Sequence, residues 1–461
     1  MTAPLERFCA ALRIDTVWPE SAVPGSPELV KAEAALIGFQ DQLQRSFPTF
    51  HAATERTVLG PYGVLYRWPG TSADAPATST ATAPDKPVLL LAHYDVVPVE
   101  RDKWTVEPFG AQVKDGFIWS RGALDTKNTL IGALEAAEAL AERGFRPKRD
   151  VWFAFGGDEE RSGVLGAKKA AAWFAERGIS FAWTLDEGSV VSDGLLSGIR
   201  KPLALVGVEE KGFLNIELSV RQKPGHSSRP PRVQAVAVLG RALDRLSRRH
   251  FPFQLTSTVE AFFRNLAPHA GGVRAMAMAN PRAFSSVLFA NASDSPETAS
   301  LLRTTVAMTQ LQGSPADNVM PSNVKAVLNL RLLPGWTIEK AVEFVRLAIA
   351  DPRVEVEPSP SRVANNPVLA SRETAEGRGP GWAEISAAIK VSFPDAAVLP
   401  FLVTATTDSR HYAGLCDAVY RFAPVKLNAE ELSRIHGHDE RISIENFTAG
   451  IGFYQTLISS L

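Results

Sequence analysis

Three apolar runs of strand length, VLLLA (Val88 to Ala92), DVWFAF (Asp150 to Phe155) and FAWTL (Phe181 to Leu185), each lead into a histidine or a group of acids. Runs this apolar suit strands buried on both faces. Between them stand helical patterns: Thr126 to Arg143, with Leu130, Leu134, Ala137 and Ala141 at helical spacing and Gly144 as a stop, and GAKKAAAWFAERG. The alternation predicts a layered α/β sheet. Open α/β sheets bind ligands beyond the carboxyl ends of their strands, so His93, Asp125, the Asp158-Glu159-Glu160 trio and Asp186-Glu187 are expected to meet in one crevice.

His93 and Asp95 stand two apart after the first run, so an extended chain projects both from one face and the acid can hold the ring. One histidine with several carboxylates and no cysteine is a donor set for divalent cations, and carboxylates bridging two ions about 3.5–4 Å apart are a hydrolytic arrangement. Adjacent Glu159 and Glu160 beside a third acid repel one another unless cations or protons intervene. A structurally satisfied histidine and a solvated acidic turn remain the plain alternatives for these segments taken singly.

At 461 residues the chain is long enough for two or three domains. Its 49 Lys plus Arg against 50 Asp plus Glu give a net charge of -1, which argues for neither nucleic acid nor an anionic membrane as partner. The basic run RALDRLSRRH (Arg241 to His250) reads as a solvated helix face. Two cysteines, Cys9 and Cys416, suggest a reducing compartment. The first twenty residues carry acids early and lack a continuous apolar core. No secretory signal is therefore expected, and a cytoplasmic location is the default.

The segment Pro69 to Pro87, rich in Pro, Ala, Thr and Ser, reads as a surface connector. From about Leu205 the texture changes to the alternation of half-exposed strands, in LVGVEEKGFLNIELSVRQ and again in DNVMPSNVKAVLNLRLLPG, with helices near Val233 to Leu246 and Thr337 to Ala350. This predicts a mixed-sheet α/β domain formed by residues 1–204 and 358–461, with an α+β domain, 205–357, inserted in it. Residues 251–304 read as helical, loop-rich elaboration of the insert. A last helix follows the candidate cap Ser443.

The stretches LLLAHYDVVPV, DGFIWSRGALDTKN, DEERSG, LDEGS, GHSSRP, NVMPSNVKAVLNLRLLPG, TDSRHY and RIHGHDERI occur in the order found in the dinuclear-metal aminoacylase and carboxypeptidase family, which includes succinyl-diaminopimelate desuccinylase. From about Pro87 to Leu461 the chain resembles that family, and most its carboxypeptidase S and N-acyl-amino-acid hydrolase branch. The resemblance implies a metallohydrolase domain with an inserted lid or dimerisation domain. It implies two divalent ions, zinc first and cobalt or manganese as alternatives, held by His93, Asp125, Glu160, Asp186 and His436, with Asp125 bridging and followed by a cis peptide. Asp95 would orient the histidine. Glu159 would be the general base, and His226 the donor to the oxyanion. Asn318, Arg331, Thr406 and Arg410 would bind substrate polar groups, the arginines a carboxylate; a structural ion pair is the alternative for each arginine. Thr126 stands where close relatives often have Asp, and Asp439 where they usually have Asn.

Of the two histidines in RIHGHDERI the resemblance selects His436, and Gly437 after it permits a close turn. The expected activity is hydrolysis of the amide of an N-acyl amino acid, or of a short peptide with a free carboxylate as a dipeptidase or carboxypeptidase does. A homodimer is expected, with His226 delivered by a neighbouring subunit or by hinge closure. A catalytically inactive binding protein would lack the base or a ligand, and no position is missing.

Overall fold

The apolar runs are central strands. In the computed structural model, which describes residues 2–19, 25–71, 86–194, 198–293 and 295–461, Val88–His93 and Val151–Gly156 are buried throughout and lie parallel. Trp183–Asp186 lies parallel on the other side of Val88–His93. They belong to a ten-stranded mixed sheet ordered Glu55–Val58, Gly63–Trp68, Val151–Gly156, Val88–His93, Trp183–Asp186, Val419–Arg421, Leu203–Glu210, Val191–Ser192, Lys426–Leu427, with Ala397–Val403 parallel to Leu203–Glu210. Helices Lys127–Glu142, Trp382–Ser392 and Ile444–Ser459 contribute Leu134, Ile385 and Phe453 to the core on one face. Ala167–Glu176 covers the other, with Phe174 edge-on to Trp152. Ser443 caps the last helix by accepting from the Asn446 N–H at 3.0 Å.

The insert is a four-stranded antiparallel sheet ordered Thr305–Gln312, Asn323–Leu332, Gly212–Arg221, Glu355–Pro358. Along Asn323–Leu332 every second residue is buried, and Val324, Ala326, Leu328 and Leu330 share a core with helices Ala235–Ser247 and Ile338–Ile349. The other face of the sheet stays open.

Two expectations are corrected. Leu203–Glu210 belongs to the large sheet, so the chain enters the insert at Lys211–Gly212 rather than at 205. The strand is buried almost throughout, as a central strand should be, and alternation starts only after Gly212. Residues 251–304 do form helices, Ser257–Leu266, Gly272–Ala279, Ser285–Ser293 and Pro296–Leu302. Their apolar side chains, however, reach the large sheet: Val259, Phe262 and Phe263 share a core with Leu203, Leu399 and Leu402, and with Leu333 of the insert. The segment wedges between the two domains.

Most of the connector Pro69 to Pro87 lies outside the described residues. Among the described residues no helix is long and apolar enough to cross a membrane, and both cysteines are free.

Candidate metal centre

Strand ends bring the acids together. His93 is the last residue of its strand, Glu159 and Glu160 sit in a 3-10 turn following Val151–Gly156, and Asp125 precedes helix Lys127–Glu142 through a cis peptide to Thr126. His436 comes from the turn before Arg441–Ser443. Donor atoms of His93, Glu159 and Glu160 form one close group, and those of Asp125, Glu160 and His436 a second. Asp125 joins the two: one carboxylate oxygen lies 3.0 Å from His93 Nε2 and the other 2.9 Å from His436 Nε2. His436 Nε2 is also 3.1 Å from Glu160 Oε1. A carboxylate offering one oxygen to each of two imidazoles has the form of a bridge between two cation sites, and the nitrogen and oxygen donors suit zinc, cobalt or manganese.

The electrostatics follow from this crowding. Burial acts to raise Asp125, but hydrogen bonds from His436 and His93 hold its carboxyl far below the usual range. Bonds to Asp125 and Glu160 push His436 up to about 11. Burial first, with Glu160 and Asp95 adding and His93 opposing, pushes Glu159 up to about 8. Divalent cations among these groups would take the place of the protons.

Asp95 does more than face the histidine. It is fully buried, and its two oxygens accept the backbone N–H groups of Glu159 at 3.1 Å and Glu160 at 3.0 Å. The His93 Nδ1 lies 3.0 Å from the Asp95 carbonyl and 3.3 Å from its carboxylate. One side chain thus sets the paired glutamates and helps fix the ring.

Asp186 lies outside the two close donor groups, as does its neighbour Glu187. The Asp186 oxygens accept the N–H groups of Glu187 at 2.9 Å and Ser409 at 2.7 Å. Burial, with Asp125, Asp186 and Glu159 adding, raises the Glu187 carboxyl well above the usual value. No hydrogen bond engages the Glu187 carboxylate among the described residues.

His438 lies on the side of Glu100, away from the donors. The left-handed residues of this turn are His436 itself, at φ 61°, and Asp439, at φ 54°. Gly437 is required for a different reason than a positive φ, since a Cβ there would stand 2.7 Å from the Ser433 carbonyl.

A brace that the motifs did not reveal holds Asp125 and His436 in register. Glu440, fully buried, accepts from Arg121 at 2.7 Å and from the N–H groups of Gly122, Leu124 and Asp125, at 3.1, 2.6 and 3.2 Å. Arg121 in turn donates to the Gly437 carbonyl at 3.0 Å. A buried acid flanked by the turn that carries His436 was the available signal.

The remaining residues belong to neither donor group. His226 lies on, and Asn318 beside, a two-stranded antiparallel ribbon of Gly225–His226 and Val319–Met320, both residues exposed; the Ser228 N–H donates to His226 Nδ1 at 3.1 Å and the Ser227 N–H to the Asn318 carbonyl at 3.1 Å. No hydrogen bond or ion pair among the described residues links His226 to the metal ligands. Arg331 and Arg410 are half-buried, and neither enters an ion pair. Thr406 is half-buried in the loop before Arg410.

A sequence model of peptidase family M20/M25/M40 matches residues 89–460. The N-fatty-acyl-amino acid synthase/hydrolase PM20D1 of Xenopus tropicalis is 34% identical over 463 residues, covering 99% of this chain and 85% of the relative. A probable carboxypeptidase S-like 2 of Dictyostelium discoideum is 33% identical over 440 residues, covering 94% and 81%. Among solved structures, the M20 family metallo-carboxypeptidase Sso-CP2 from Sulfolobus solfataricus superposes with a TM-score of 0.69 at 16% identity, covering 100% of this chain and 99% of that one, which is a likeness of fold.

Proposed function

The chain belongs to peptidase family M20/M25/M40, and from that premise we propose that this metal-dependent amide hydrolase releases the acyl group of N-acyl amino acids at a centre of two divalent ions, most simply zinc. The observation that carries the reading is Asp125, with one oxygen toward His93 and the other toward His436. His93, Asp125, Glu160 and His436 would hold the ions, and Glu187 rather than Asp186 would complete the set, because each Asp186 oxygen already accepts a backbone N–H and the Glu187 carboxylate accepts none among the described residues. Bound there, divalent ions polarise a carbonyl and make water a nucleophile at neutral pH.

Glu159 takes a proton from that water and returns it to the departing amine. Its N–H is anchored on Asp95, so its carboxylate is directed by the same side chain that sets Glu160. Arg331 and Arg410 bind the substrate carboxylate, a fork donor for a planar acceptor. Asn318 and Thr406 add polar contacts. His226 donates to the developing oxyanion, delivered from the exposed ribbon of a second copy in a homodimer.

The names of the relatives, N-fatty-acyl-amino acid synthase/hydrolase and carboxypeptidase S-like, support two substrate classes. Cleavage of a short peptide with a free carboxylate is the second reading. The test is to strip metal, verify its loss by elemental analysis, and assay N-acyl amino acids of several chain lengths beside dipeptides, before and after adding zinc, cobalt or manganese. Activity should vanish and return; undiminished turnover of metal-free protein would end the reading.

A further inference from the structure

Basic side chains without acidic partners gather on two cavities beside the centre. On the open face of the inserted sheet a cavity of about 280 Å³ is lined by Phe213, Asn215, Asn329, Arg331, Ser361 and Arg362, among others. A second, of about 540 Å³, borders the first domain and is lined by Lys168, Arg410 and His411 with Asn365 and Asn366. Among the lining residues the one acid is Glu217 of the first cavity, already paired with Lys325 at 2.8 Å. Arg331, Arg362, Arg410 and Lys168 enter no ion pair among the described residues; Arg331 lies over the Phe213 ring, 5.0 Å from its centroid.

Arg331 and Arg362 line one cavity, and Arg331 and Arg410 are also within electrostatic reach of Glu159. Burial and then the charges of Arg362 and Arg410 lower the Arg331 guanidinium, while Glu210 and Glu159 oppose them. On a chain of net charge -1, such a group repels itself unless anions join it. One carboxylate matches one guanidinium fork, with a second guanidinium able to share it. A substrate with a single carboxylate at Arg331 and Arg410 leaves Arg362, in the same cavity as Arg331, without a counter-charge.

We infer that the substrate is dianionic, with a second carboxylate bound by Arg362, carried either by the amino-acid side chain or by the far end of the acyl group. This rests on the amide-hydrolase reading and narrows its substrate class. Arg362 is exposed and makes no side-chain hydrogen bond or ion pair among the described residues, so its replacement tests binding.

The experiment compares kcat/KM of the metal-loaded wild type, Arg362→Gln and Arg362→Lys on matched pairs. One pair is N-acyl-glutamate against N-acyl-glutamine, at the acyl length the wild type turns over fastest. The other is N-succinyl-alanine against N-succinamoyl-alanine. The wild type should prefer the dianion of at least one pair by about two- to fivefold, the range of an exposed charge pair. Arg362→Gln should remove that preference, leaving the neutral member unchanged, and Arg362→Lys should keep part of it. The pair that responds identifies which half of the substrate carries the acid. Equal rates within both pairs, or a preference that survives Arg362→Gln, would overturn the inference while leaving amide hydrolysis intact. Hydrolysis of none of the four compounds, nor of any other N-acyl amino acid, would instead overturn the reading beneath it.

Discussion

At the residue scale, the sequence offers Asp186 and Glu187 as adjacent acids at a strand end and gives no means of choosing between them. The fold chooses. Both Asp186 oxygens are held by backbone N–H groups, one of them from Ser409, 223 positions away, and that long-range contact has no trace in local pattern. Glu187→Gln should therefore lower metal content by one ion, since the amide is a poorer ligand than the carboxylate it replaces. Asp186→Asn should keep both ions and lose stability, because one of its oxygens becomes an amide that cannot accept an N–H. Elemental analysis of the two purified variants, with melting temperature beside it, is the check. Full metal in Glu187→Gln together with a lost ion in Asp186→Asn would restore Asp186 to the role the resemblance implied. By contrast, His93, Asp125, Glu159, Glu160 and His436 were each legible, because a short motif fixes the residue and its strand end or turn fixes its direction.

At the scale of elements, the buried strands were readable from unbroken apolar runs and the insert's central strand from strict alternation. The junction was not readable, because LVGVEEKGFLNIELSVRQ is two strands of different sheets joined at Lys211, and burial of both faces in the first half looks locally like the same run. Nor was the Arg121 to Glu440 brace, whose partners are 319 positions apart. Its consequence is testable. Glu440→Gln keeps an acceptor for the N–H groups of Leu124 and Asp125 but leaves the Arg121 guanidinium buried without a counter-charge. Breaking a buried pair on one side costs about 3–5 kcal/mol, and the two turns so loosened carry Asp125 and His436. Denaturant unfolding should show that loss, and metal affinity should fall with it. A change under about 1 kcal/mol with metal binding untouched would mean that the brace does not position the ligands.

At the scale of the whole molecule, the proposed role of His226 requires its exposed segment to reach a centre built on the other domain. A swinging insert requires a free hinge, and this hinge is tied on both sides. Glu210, the last residue before the crossing, accepts from Arg421 at 2.9 Å and from the Thr407 N–H and hydroxyl at 3.0 and 2.9 Å. Lys211 donates to the Ser300 and Arg303 carbonyls at 3.0 and 2.9 Å, so the crossing is pinned to the wedge of helices. The wedge itself shares an apolar core with Leu399 and Leu402 of the large sheet and Leu333 of the insert. Opening the angle would expose part of that core and pull the buried Lys211 ammonium from the carbonyls that hold it, each costly. Delivery by a second copy needs no such motion, and it makes a homodimer part of the active site. The expected outcome is complementation. His226→Ala and Glu159→Ala are each inactive, but in a heterodimer the first supplies an intact base and the second an intact ribbon to the same centre. An equimolar mixture that has exchanged subunits should regain about one quarter of wild-type activity, since half the dimers are mixed and each has one complete site. Sedimentation must first show a dimer for each variant. A monomer in solution, or a mixed dimer that stays inactive, would leave delivery within one chain, and the hinge ties around Glu210 and Lys211 would then have to open during turnover.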